Sequence, residues 1–445
     1  MRTLTKKLKA LRLGDIAIRR NPLFYTGARR ELRRLEAADV ACRREWMGRK
    51  LALALAHASR SRYARDIATP RELASWPPLS KTRVVRDPAA FRCGRPLVAA
   101  QASTGGTSGE PLPLLRSLRS VAFEQACIDR MLELLDVRPS EARIAILRGD
   151  SIKDPSDFTP PYWTEAAGGR RLLLSSFHLN AATIEAYAQA LQRYAPDVLW
   201  AHPNTIDSLC VHLRRAGRRL ALPRVLTSSE VLRPRVWEFI VETLGCRLLD
   251  YYGQAERVAF AYACAPGEYR FLPGYSHVEL LPAGQEGSET LYEIVGTSLW
   301  NSAMPLVRYR TADLLRLPSS WGARELEEVA LGARSFGGIL GRDGDFLLSP
   351  EGTRLISPNH FLREVPHLAR IQVIQETLAH VRILVLGTEA FSLADEAELL
   401  RNVRMKVPAS MRVSIERVPA LERTRLGKTP FVIHRPAVRQ LLRSS

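Results

Sequence analysis

Long apolar runs are absent from this chain of 445 residues. A membrane-spanning helix needs about 18 consecutive apolar residues, and the N-terminal segment carries charges without the apolar core of a signal peptide. We therefore expect a soluble, cytoplasmic protein. The hydrophobic share of 46% and the charged share of 25% are typical of a globular chain.

Cysteine is also scarce, and its six residues form no C-x-x-C pair. Disulfide frameworks and zinc knuckles both require paired or closely spaced cysteines, so neither is indicated. We expect six buried free thiols, at Cys42, Cys93, Cys127, Cys210, Cys246 and Cys264.

Lysine contributes only eight of the 65 basic residues, although the formal net charge is +19. The arginines are spread along the chain without interleaved aromatic residues, which favours a basic surface over a specific nucleic-acid site. The first 35 residues are the densest basic segment. A solvated helical face and a helix that docks on a membrane surface or a partner both fit this segment. The sequence leaves the oligomeric state open and is compatible with a homodimer.

The middle of the chain alternates short apolar strands with helices of about a dozen residues. Asn180 is a candidate N-cap for a helix over 181–194, because its side chain can accept hydrogen bonds from exposed backbone N–H groups. This alternation predicts βαβ units and a parallel sheet. The strands are predicted at 197–201, 224–229 and 246–252.

The predicted fold class is α/β, with two domains. Residues 1–95 have mainly helical patterns, whereas the residues after 270 alternate as antiparallel strands do. Near Gly341 the pattern changes to hairpin strands, an amphipathic helix and a last strand. We predict a large N-terminal domain, 1–341, with a parallel α/β sheet and a small β portion. A small mobile α+β domain is predicted at 342–445.

Polar residues follow the predicted strands at their carboxyl ends, where open parallel sheets bind ligands. The loop Ser103–Pro111 also follows a strand-like run. We expect these four polar segments to converge on one edge of the sheet. The other three are His202-Pro203, Ser228-Ser229-Glu230 and Gly253-Gln254-Ala255-Glu256.

The loop Ser103–Pro111 combines three glycines with four hydroxyl residues. Glycine lets backbone N–H groups turn toward an anion and hydroxyl groups add donors, which suits a polyphosphate. Glu110 stands where a P-loop carries lysine, so this is not a P-loop, and an ordinary flexible turn is the alternative. The candidate phosphate-binding residues are Ser103, Thr104, Gly106, Thr107, Ser108 and Gly109.

Six segments, in the correct order, resemble motifs of the adenylate-forming superfamily. They are STGGTSGEPL, TSSE, YYGQAERVAF, MPLVRYRTADL, GRDGDFLLSPEG and RTRLGKTPF. The resemblance is to the phenylacetate–CoA ligase-like branch, which includes CapK-type proteins, and it spans residues 95–435. It implies a small C-terminal domain that rotates between two half-reactions about a hinge within Arg342–Asp345.

The resemblance implies a role for each matched residue. Tyr252 would stack on adenine, Glu256 would hold Mg²⁺ against the ATP phosphates, and Asp313 would bind both ribose hydroxyls. Arg342 matches a second ribose or phosphate contact, and Lys428 matches the lysine that stabilises charge on the reacting oxygens. Nucleotide contacts are also implied for Ser229, Glu230, Tyr251, Gly253 and Gln254, and acyl-pocket contacts for His202, Pro203 and Ser228.

Structural interpretations stand beside several of these roles. Tyr252 also fits the core of a strand, His202 fits a satisfied structural histidine, and Lys428 fits a surface lysine. For Arg308 and Arg310 a salt bridge is as good an interpretation as a ligand contact.

The implied activity is activation of a carboxylic acid by ATP and Mg²⁺ to an acyl-adenylate, followed by transfer to coenzyme A. Transfer to an amine, a hydroxyl or a carrier protein, in polysaccharide or natural-product biosynthesis, is nearly as well supported. A non-catalytic scaffold and a basic nucleic-acid-binding module are lesser alternatives. Aryl acids are favoured by the branch alone. Ala255 and Gly344 depart from the family pattern, whereas Glu256, Asp313 and Lys428 agree with it.

Overall fold

The computed structural model describes residues 18–94, 99–103, 112–148, 152, 157, 159–176, 178–342, 346–348, 350, 354–356, 361, 365, 367–404, 407–423 and 429–444. The chain divides into two compact units, Met1–Leu340 and Gly341–Ser445. Each unit contains apolar core clusters of its own. Among the helices in the described ranges, none combines the length and apolar character that a bilayer crossing needs.

The early described residues of the first unit form helices α1 Pro22–Ala37, α2 Val40–Ala58, α3 Arg62–Asp66 and α4 Lys81–Arg86. Each helix starts after a polar residue whose side chain accepts a hydrogen bond from an otherwise unpaired N–H group of the first turn. These capping residues are Asn21, Asp39, Ser61 and Ser80. Two short 3₁₀ helices complete the segment, at Leu73–Ser75 and Pro88–Phe91.

A separate two-stranded sheet precedes the next helix. Strand β1, Ala99–Ser103, pairs antiparallel with β2, Pro113–Ser117. Helix α5, Leu118–Leu134, follows β2 directly, and the Ser117 side chain caps it. The strand-like run before the glycine-rich loop is therefore a strand, but its backbone hydrogen bonds go to β2. This strand belongs to a two-stranded sheet, separate from the sheet that carries the other three polar segments.

The central sheet has eight strands in the order β10-β9-β8-β7-β6-β3-β5-β4. Its middle five strands, β5, β3, β6, β7 and β8, run parallel to their neighbours, and antiparallel strands complete both edges. This confirms the predicted parallel sheet. The strands are β3 Ile144–Leu147, β4 Trp163–Ala166, β5 Arg171–Leu174, β6 Val198–Ala201, β7 Arg224–Ser228, β8 Arg247–Gly253, β9 Phe260–Ala263 and β10 Arg270–Phe271.

Helices α6 Ile184–Tyr194, α7 Pro203–Arg215 and α8 Pro234–Leu244 connect the parallel strands. The cap predicted at Asn180 is wrong, because α6 starts after Thr183. The Asn180 side chain instead accepts from the N–H groups of Ala182 and Thr183, at 2.9 and 3.2 Å, which forms a turn before the helix. Gly245 ends α8 with a left-handed φ of 60°, a conformation that glycine adopts without strain.

A four-stranded sheet follows in the order β11-β12-β13-β14. The expected β portion after residue 270 is therefore present. Helix α9, Ala323–Ala330, follows β13 and precedes β14 in the sequence. The strands are β11 Ser276–Glu286, β12 Glu289–Ser298, β13 Tyr309–Pro318 and β14 Ile339–Arg342.

The described residues of the second unit form a hairpin, a four-stranded sheet in the order β19-β18-β17-β20 and two helices. Strands β17 and β18 are antiparallel, and each pairs in parallel with an outer strand. Val373, Ile383 and Leu399 lie in its buried core. The elements are β15 Phe346–Leu348, β16 Arg354–Ile356, β17 Leu368–Thr377, β18 His380–Gly387, α10 Leu393–Arg404, β19 Arg412–Arg417, β20 Val432–His434 and α11 Pro436–Ser444.

All six cysteines are free thiols, but only four of them are buried. Cys42 lies exposed in the first turn of α2, and Cys264 is exposed just beyond the end of β9. The prediction of six buried thiols is wrong for these two, because both stand at the solvent-facing ends of their elements.

Candidate functional site

The carboxyl ends of β6 and β7 bring two of the predicted segments together. His202 follows β6, and its Nδ1 lies 3.2 Å from the carbonyl oxygen of Ser228, the last residue of β7. Trp200 Nε1 donates to the Ser228 hydroxyl at 3.4 Å. Ser229 follows in the left-handed region, with φ of 73°. Such a backbone conformation at a non-glycine residue is common where loops form binding sites.

Glu230 has a structural partner at this edge. Its carboxylate accepts from the backbone N–H of Asn204 at 3.1 Å. Asn204 lies in the first turn of α7, where Pro203 is the first residue. A carboxylate at a helix N-terminus satisfies an unpaired donor and interacts favourably with the helix dipole. Glu230 therefore fixes the position of the Ser228–Glu230 segment against α7.

Strand β8 ends in two tyrosines with different surroundings. Tyr251 is buried and stacks on Phe260, with ring centroids 5.1 Å apart and an interplanar angle of 5°. Burial raises the pKa of Tyr251. The next residue, Tyr252, is only partly buried. Tyr251 thus belongs to the core, whereas Tyr252 is a partly buried residue that packs against the core.

Tyr252 is bonded to the second predicted acid. Its hydroxyl donates to Asp313 Oδ2 at 2.5 Å, and Gln254 Nε2 donates to the same hydroxyl at 2.8 Å. Burial, and after it the Asp313 carboxylate, raises the pKa of Tyr252 well above its usual value. The Asp313 N–H bonds to Thr311 Oγ1 at 3.0 Å. Three of the predicted nucleotide residues, Tyr252, Gln254 and Asp313, thus form one hydrogen-bonded cluster.

Glu256 is the other buried carboxylate of this region. Its Oε1 accepts from the Tyr309 hydroxyl at 2.8 Å, and both side chains are buried. No hydrogen bond from a described residue reaches its Oε2. Within the described ranges, no group of three or more metal-binding side chains occurs. Mg²⁺ is commonly held by one or two carboxylates together with substrate phosphates and water, so a single carboxylate with one unused oxygen fits that ion.

Neighbouring elements hold the segment around Glu256 in place. Arg116 of β2 donates to the Ala255 carbonyl at 2.6 Å, and Arg257 donates to the Ser120 carbonyl of α5 at 2.8 Å. Gly296 of β12 passes so close that a Cβ atom there would lie 1.9 Å from the Val258 carbonyl oxygen. Only glycine permits this approach without a shift of the backbone.

The motif arginines have structural partners. Arg308 Nε lies 3.1 Å from both carboxylate oxygens of Glu279, and Arg310 Nε donates to Glu293 at 2.9 Å. Glu293 also accepts from the N–H of Ala312, which has a left-handed φ of 59°. Of the two interpretations, the salt bridge is therefore confirmed for both arginines. Their role is to fix the strand that carries Asp313.

Thr104, Gly106, Thr107, Ser108, Gly109 and Lys428 lie outside the described residues, and so do the side chains of Ser103 and Arg342. Strand β2, which follows the glycine-rich loop in the chain, is held by Asn301. Asn301 accepts from the Ser117 N–H at 3.0 Å and donates to the Leu115 carbonyl at 2.9 Å, both on β2.

An unusual carboxyl lies beneath the site. Asp250, in β8, is buried and accepts hydrogen bonds from Thr227 Oγ1 at 2.6 Å and the Tyr269 hydroxyl at 2.5 Å. Burial raises the pKa of Asp250 to about 6, and the two hydrogen bonds oppose this shift. The carboxyl therefore takes up a proton more readily than an exposed aspartate does.

Two residues that contact the predicted site residues were not predicted from the sequence, Tyr309 and Arg148. Tyr309 belongs to the quoted MPLVRYRTADL segment, so the motif itself contained that signal. Arg148 follows β3 and donates to Ser229 Oγ at 3.0 Å. Only the parallel pairing of β3 with β6 brings Arg148 to this edge, and no local pattern indicates it.

A cleft of about 450 Å³ lies elsewhere in the first unit, between α2, β11 and α9. Its lining includes Met47, Leu280 and Leu326, and no predicted site residue. Glu279 also lines it, and Glu279 is the partner of Arg308. The cleft therefore borders the salt bridge of Arg308, but its lining includes none of Tyr252, Glu256 and Asp313.

Comparisons with known proteins agree with the resemblance found in the sequence. The family model of the CapK C-terminal domain matches residues 347–435. Phenylacetate-coenzyme A ligase of Pseudomonas putida is 29% identical over 196 residues, 41% of this chain and 42% of that protein. Protein CapK of Staphylococcus aureus is 20% identical over 250 residues, 56% of this chain and 54% of its own length. The chain thus spans about half the length of these two relatives.

Among solved structures, 2-hydroxyisobutyryl-CoA ligase in complex with R3-HIB-AMP has a TM-score of 0.56 and 16% sequence identity. The similarity covers 89% of this chain and 90% of that one. Identity this low shows a shared fold rather than a shared substrate. Residues 347–435 thus match the CapK C-terminal domain model, parts of the chain are similar in sequence to phenylacetate-coenzyme A ligase and to CapK, and the fold is similar to that of 2-hydroxyisobutyryl-CoA ligase.

Proposed function

We propose that this protein activates a carboxylic acid with ATP, as an AMP-forming ligase, and transfers the acyl group to coenzyme A. The observation that carries the proposal is the pair of anchored carboxylates. Glu256 is bonded to Tyr309 and Asp313 to Tyr252, at the positions where the resemblance implies a magnesium ligand and a ribose ligand. The relationship to phenylacetate–CoA ligases supports the same activity.

The reaction has two steps. A carboxylate oxygen of the acid attacks the α-phosphorus of ATP, the bond to the β-phosphate oxygen breaks, and pyrophosphate leaves. The thiol of coenzyme A then loses its proton and attacks the acyl carbonyl, and AMP leaves with the bonding pair. By its motif, Lys428 would stabilise the negative charge that develops on the reacting oxygens in the first step.

The residues assigned to the nucleotide have distinct tasks in this proposal. Tyr252 offers a ring face to adenine, and the hydrogen bond to Asp313 restricts the rotation of that ring. Asp313 accepts from the ribose hydroxyls. Glu256 would hold Mg²⁺, which neutralises phosphate charge when bound. ATP and coenzyme A belong to the cytoplasm, so this activity would place the protein there.

Pyrophosphate release tests the activity. Purified protein with ATP, Mg²⁺ and a panel of aryl and aliphatic acids should release pyrophosphate with at least one acid. Glu256→Gln, Asp313→Asn and Lys428→Ala should each lower the rate by about 100-fold or more. Asp136→Asn changes an exposed acid that pairs with Arg247, and it should leave the rate unchanged. The proposal would be refuted if wild-type protein released no pyrophosphate with any acid, or if the three site variants released it as fast as Asp136→Asn.

The acyl acceptor has a second candidate. The CapK C-terminal domain model matches this chain, and CapK is one of its relatives, which favours transfer to an amine, a hydroxyl or a carrier protein in polysaccharide biosynthesis. The same assay distinguishes the two acceptors. Coenzyme A should increase acid-dependent AMP formation and yield an acyl thioester. If amines or sugar hydroxyls increase acid-dependent AMP formation and coenzyme A does not, the acyl acceptor is an amine or a hydroxyl.

A further inference from the structure

Arg148 lies at the edge of the sheet where β3, β6 and β7 end, and it has no acidic partner among the residues that the structure describes. It follows the last residue of β3 directly. Its guanidinium lies 4.4 Å from the centroid of the Trp200 ring of β6 and donates to Ser229, just after β7. Two neighbouring strands therefore hold this side chain in one place.

The hydrogen bonds of this guanidinium are incomplete. Its Nη2 donates to Ser229 Oγ at 3.0 Å, whereas its buried Nε has no acceptor among the described residues. No carboxylate in the described part of the chain pairs with it. A buried donor of a charged group without an acceptor is costly and requires an explanation.

Other arginines of the chain show what the Nε and Nη2 atoms of a guanidinium bind when they act together. Arg20 uses Nε and Nη2 together on Asp129, at 2.8 and 2.7 Å. Arg44 does the same with Glu327, at 2.5 and 2.7 Å. The fork formed by these two nitrogens matches the two oxygens of a carboxylate. In Arg148 the same fork meets a single hydroxyl, and Glu230 nearby is bonded to α7 instead.

We infer that Arg148 binds a second anionic group of the substrate, so that the acid which this protein activates is a dicarboxylate or carries another anion of similar geometry. This inference rests on the proposed function. His202 and Ser228, implied as acyl-pocket residues, lie at the same sheet edge, and Trp200 Nε1 bonds to Ser228. One carboxylate of the substrate reacts with ATP, and the other pairs with the guanidinium.

The test compares matched acids in the pyrophosphate assay. Glutarate is paired with valerate, and 1,4-phenylenediacetate with phenylacetate, so that each pair differs mainly by one carboxylate. Wild-type protein should prefer the dicarboxylate of at least one pair by about 10-fold or more in kcat/KM, as expected for hydrogen bonds to a charged group. Arg148→Met keeps the length of the side chain and should abolish this preference, chiefly through KM. Arg148→Lys keeps the charge without the fork and should retain part of it.

Arg143→Met is the matched control. Arg143 precedes β3 at its opposite end, and its guanidinium lies 4.5 Å from the centroid of the Tyr194 ring. It is thus another arginine over an aromatic ring on the same strand, away from the proposed site. This variant should retain the preference for dicarboxylates and the KM for ATP.

Three results would overturn the inference: no preference in either pair, an equal loss for monocarboxylates and dicarboxylates in Arg148→Met, or a rise in the KM for ATP alone. The last result would make Arg148 a nucleotide contact. Calorimetric titration of the dicarboxylates into wild-type and Arg148→Met protein gives a readout without turnover. If no acid releases pyrophosphate, the proposed function fails. Binding of a dicarboxylate that depends on Arg148 would still support the site, and equal or absent binding would refute it.

Discussion

The hydrogen bond between Tyr309 and Glu256 gives the sharpest test of the candidate site. The hydroxyl lies 2.8 Å from Glu256 Oε1, and the two side chains are only 2% and 7% exposed. A hydrogen bond to a charged group contributes about 1.5–3 kcal/mol. Tyr309→Phe removes that donor and leaves the ring in the core. We expect the adenylation rate at subsaturating Mg²⁺ to fall by about 10- to 100-fold, because the carboxylate loses its fixed orientation.

The assay is pyrophosphate release as a function of Mg²⁺ concentration, with urea unfolding of the same variants. Tyr269→Phe is the matched control, because it removes a buried tyrosine hydroxyl from a different carboxyl, Asp250. Both variants should lose stability, but only Tyr309→Phe should change the dependence on Mg²⁺. In a Glu256→Gln background, Tyr309→Phe should have little further effect on rate. Additive losses there would show that Tyr309 does not act through Glu256.

Three further predictions concern the surroundings of the site. Gly296→Ala forces a Cβ against the Val258 carbonyl; urea unfolding should show a loss of about 1–3 kcal/mol, and unchanged stability would contradict the close approach. The pKa of Asp250 is raised to about 6, so its protonated carboxyl contributes about 3 kcal/mol to the free energy of unfolding below about pH 4, and this contribution is lost as pH rises through 6. Asp250→Asn should remove this pH dependence from urea unfolding curves, and a variant with the same pH dependence as wild type would refute the prediction. Tyr252→Phe frees the ring from Asp313 and should raise the KM for ATP by about 2- to 10-fold, whereas an unchanged KM would exclude a positioning role for that hydrogen bond.

The parallel sheet was predictable because its strands and helices repeat with regular spacing. The segments 197–201, 224–229 and 246–252 are each apolar, short and followed by polar residues, and each forms a strand of the central sheet. The order of the strands then places His202 and Ser228 side by side. Local composition and the rules of βαβ connection are sufficient for this part of the site.

Partners that are distant in sequence were not predictable from local patterns. Asn301 bonds to the backbone of Ser117 and Leu115 on β2, across separations of 184 and 186 residues, and no local pattern indicates these contacts. In the same way, β3 carries Arg148 to Trp200 and Ser229 only through strand order. The cap expected at Asn180 differs for a local reason, since its side chain bonds to the N–H groups of Ala182 and Thr183 in a turn and the helix begins only after Thr183.

The two carboxylates of the candidate site differ in how the protein holds them, and this difference bears on their tasks. Glu256 is reached by one tyrosine, and its backbone is fixed on both sides by Arg116 and Arg257. Such a rigid segment suits a ligand that must meet a small ion with strict geometry. Asp313 instead accepts a hydrogen bond from the hydroxyl of Tyr252, whose ring is proposed to stack on adenine. A change at Asp313 therefore also frees that ring, so its effect should appear in the binding of the nucleotide, whereas a change at Glu256 should appear in the rate and its dependence on the metal.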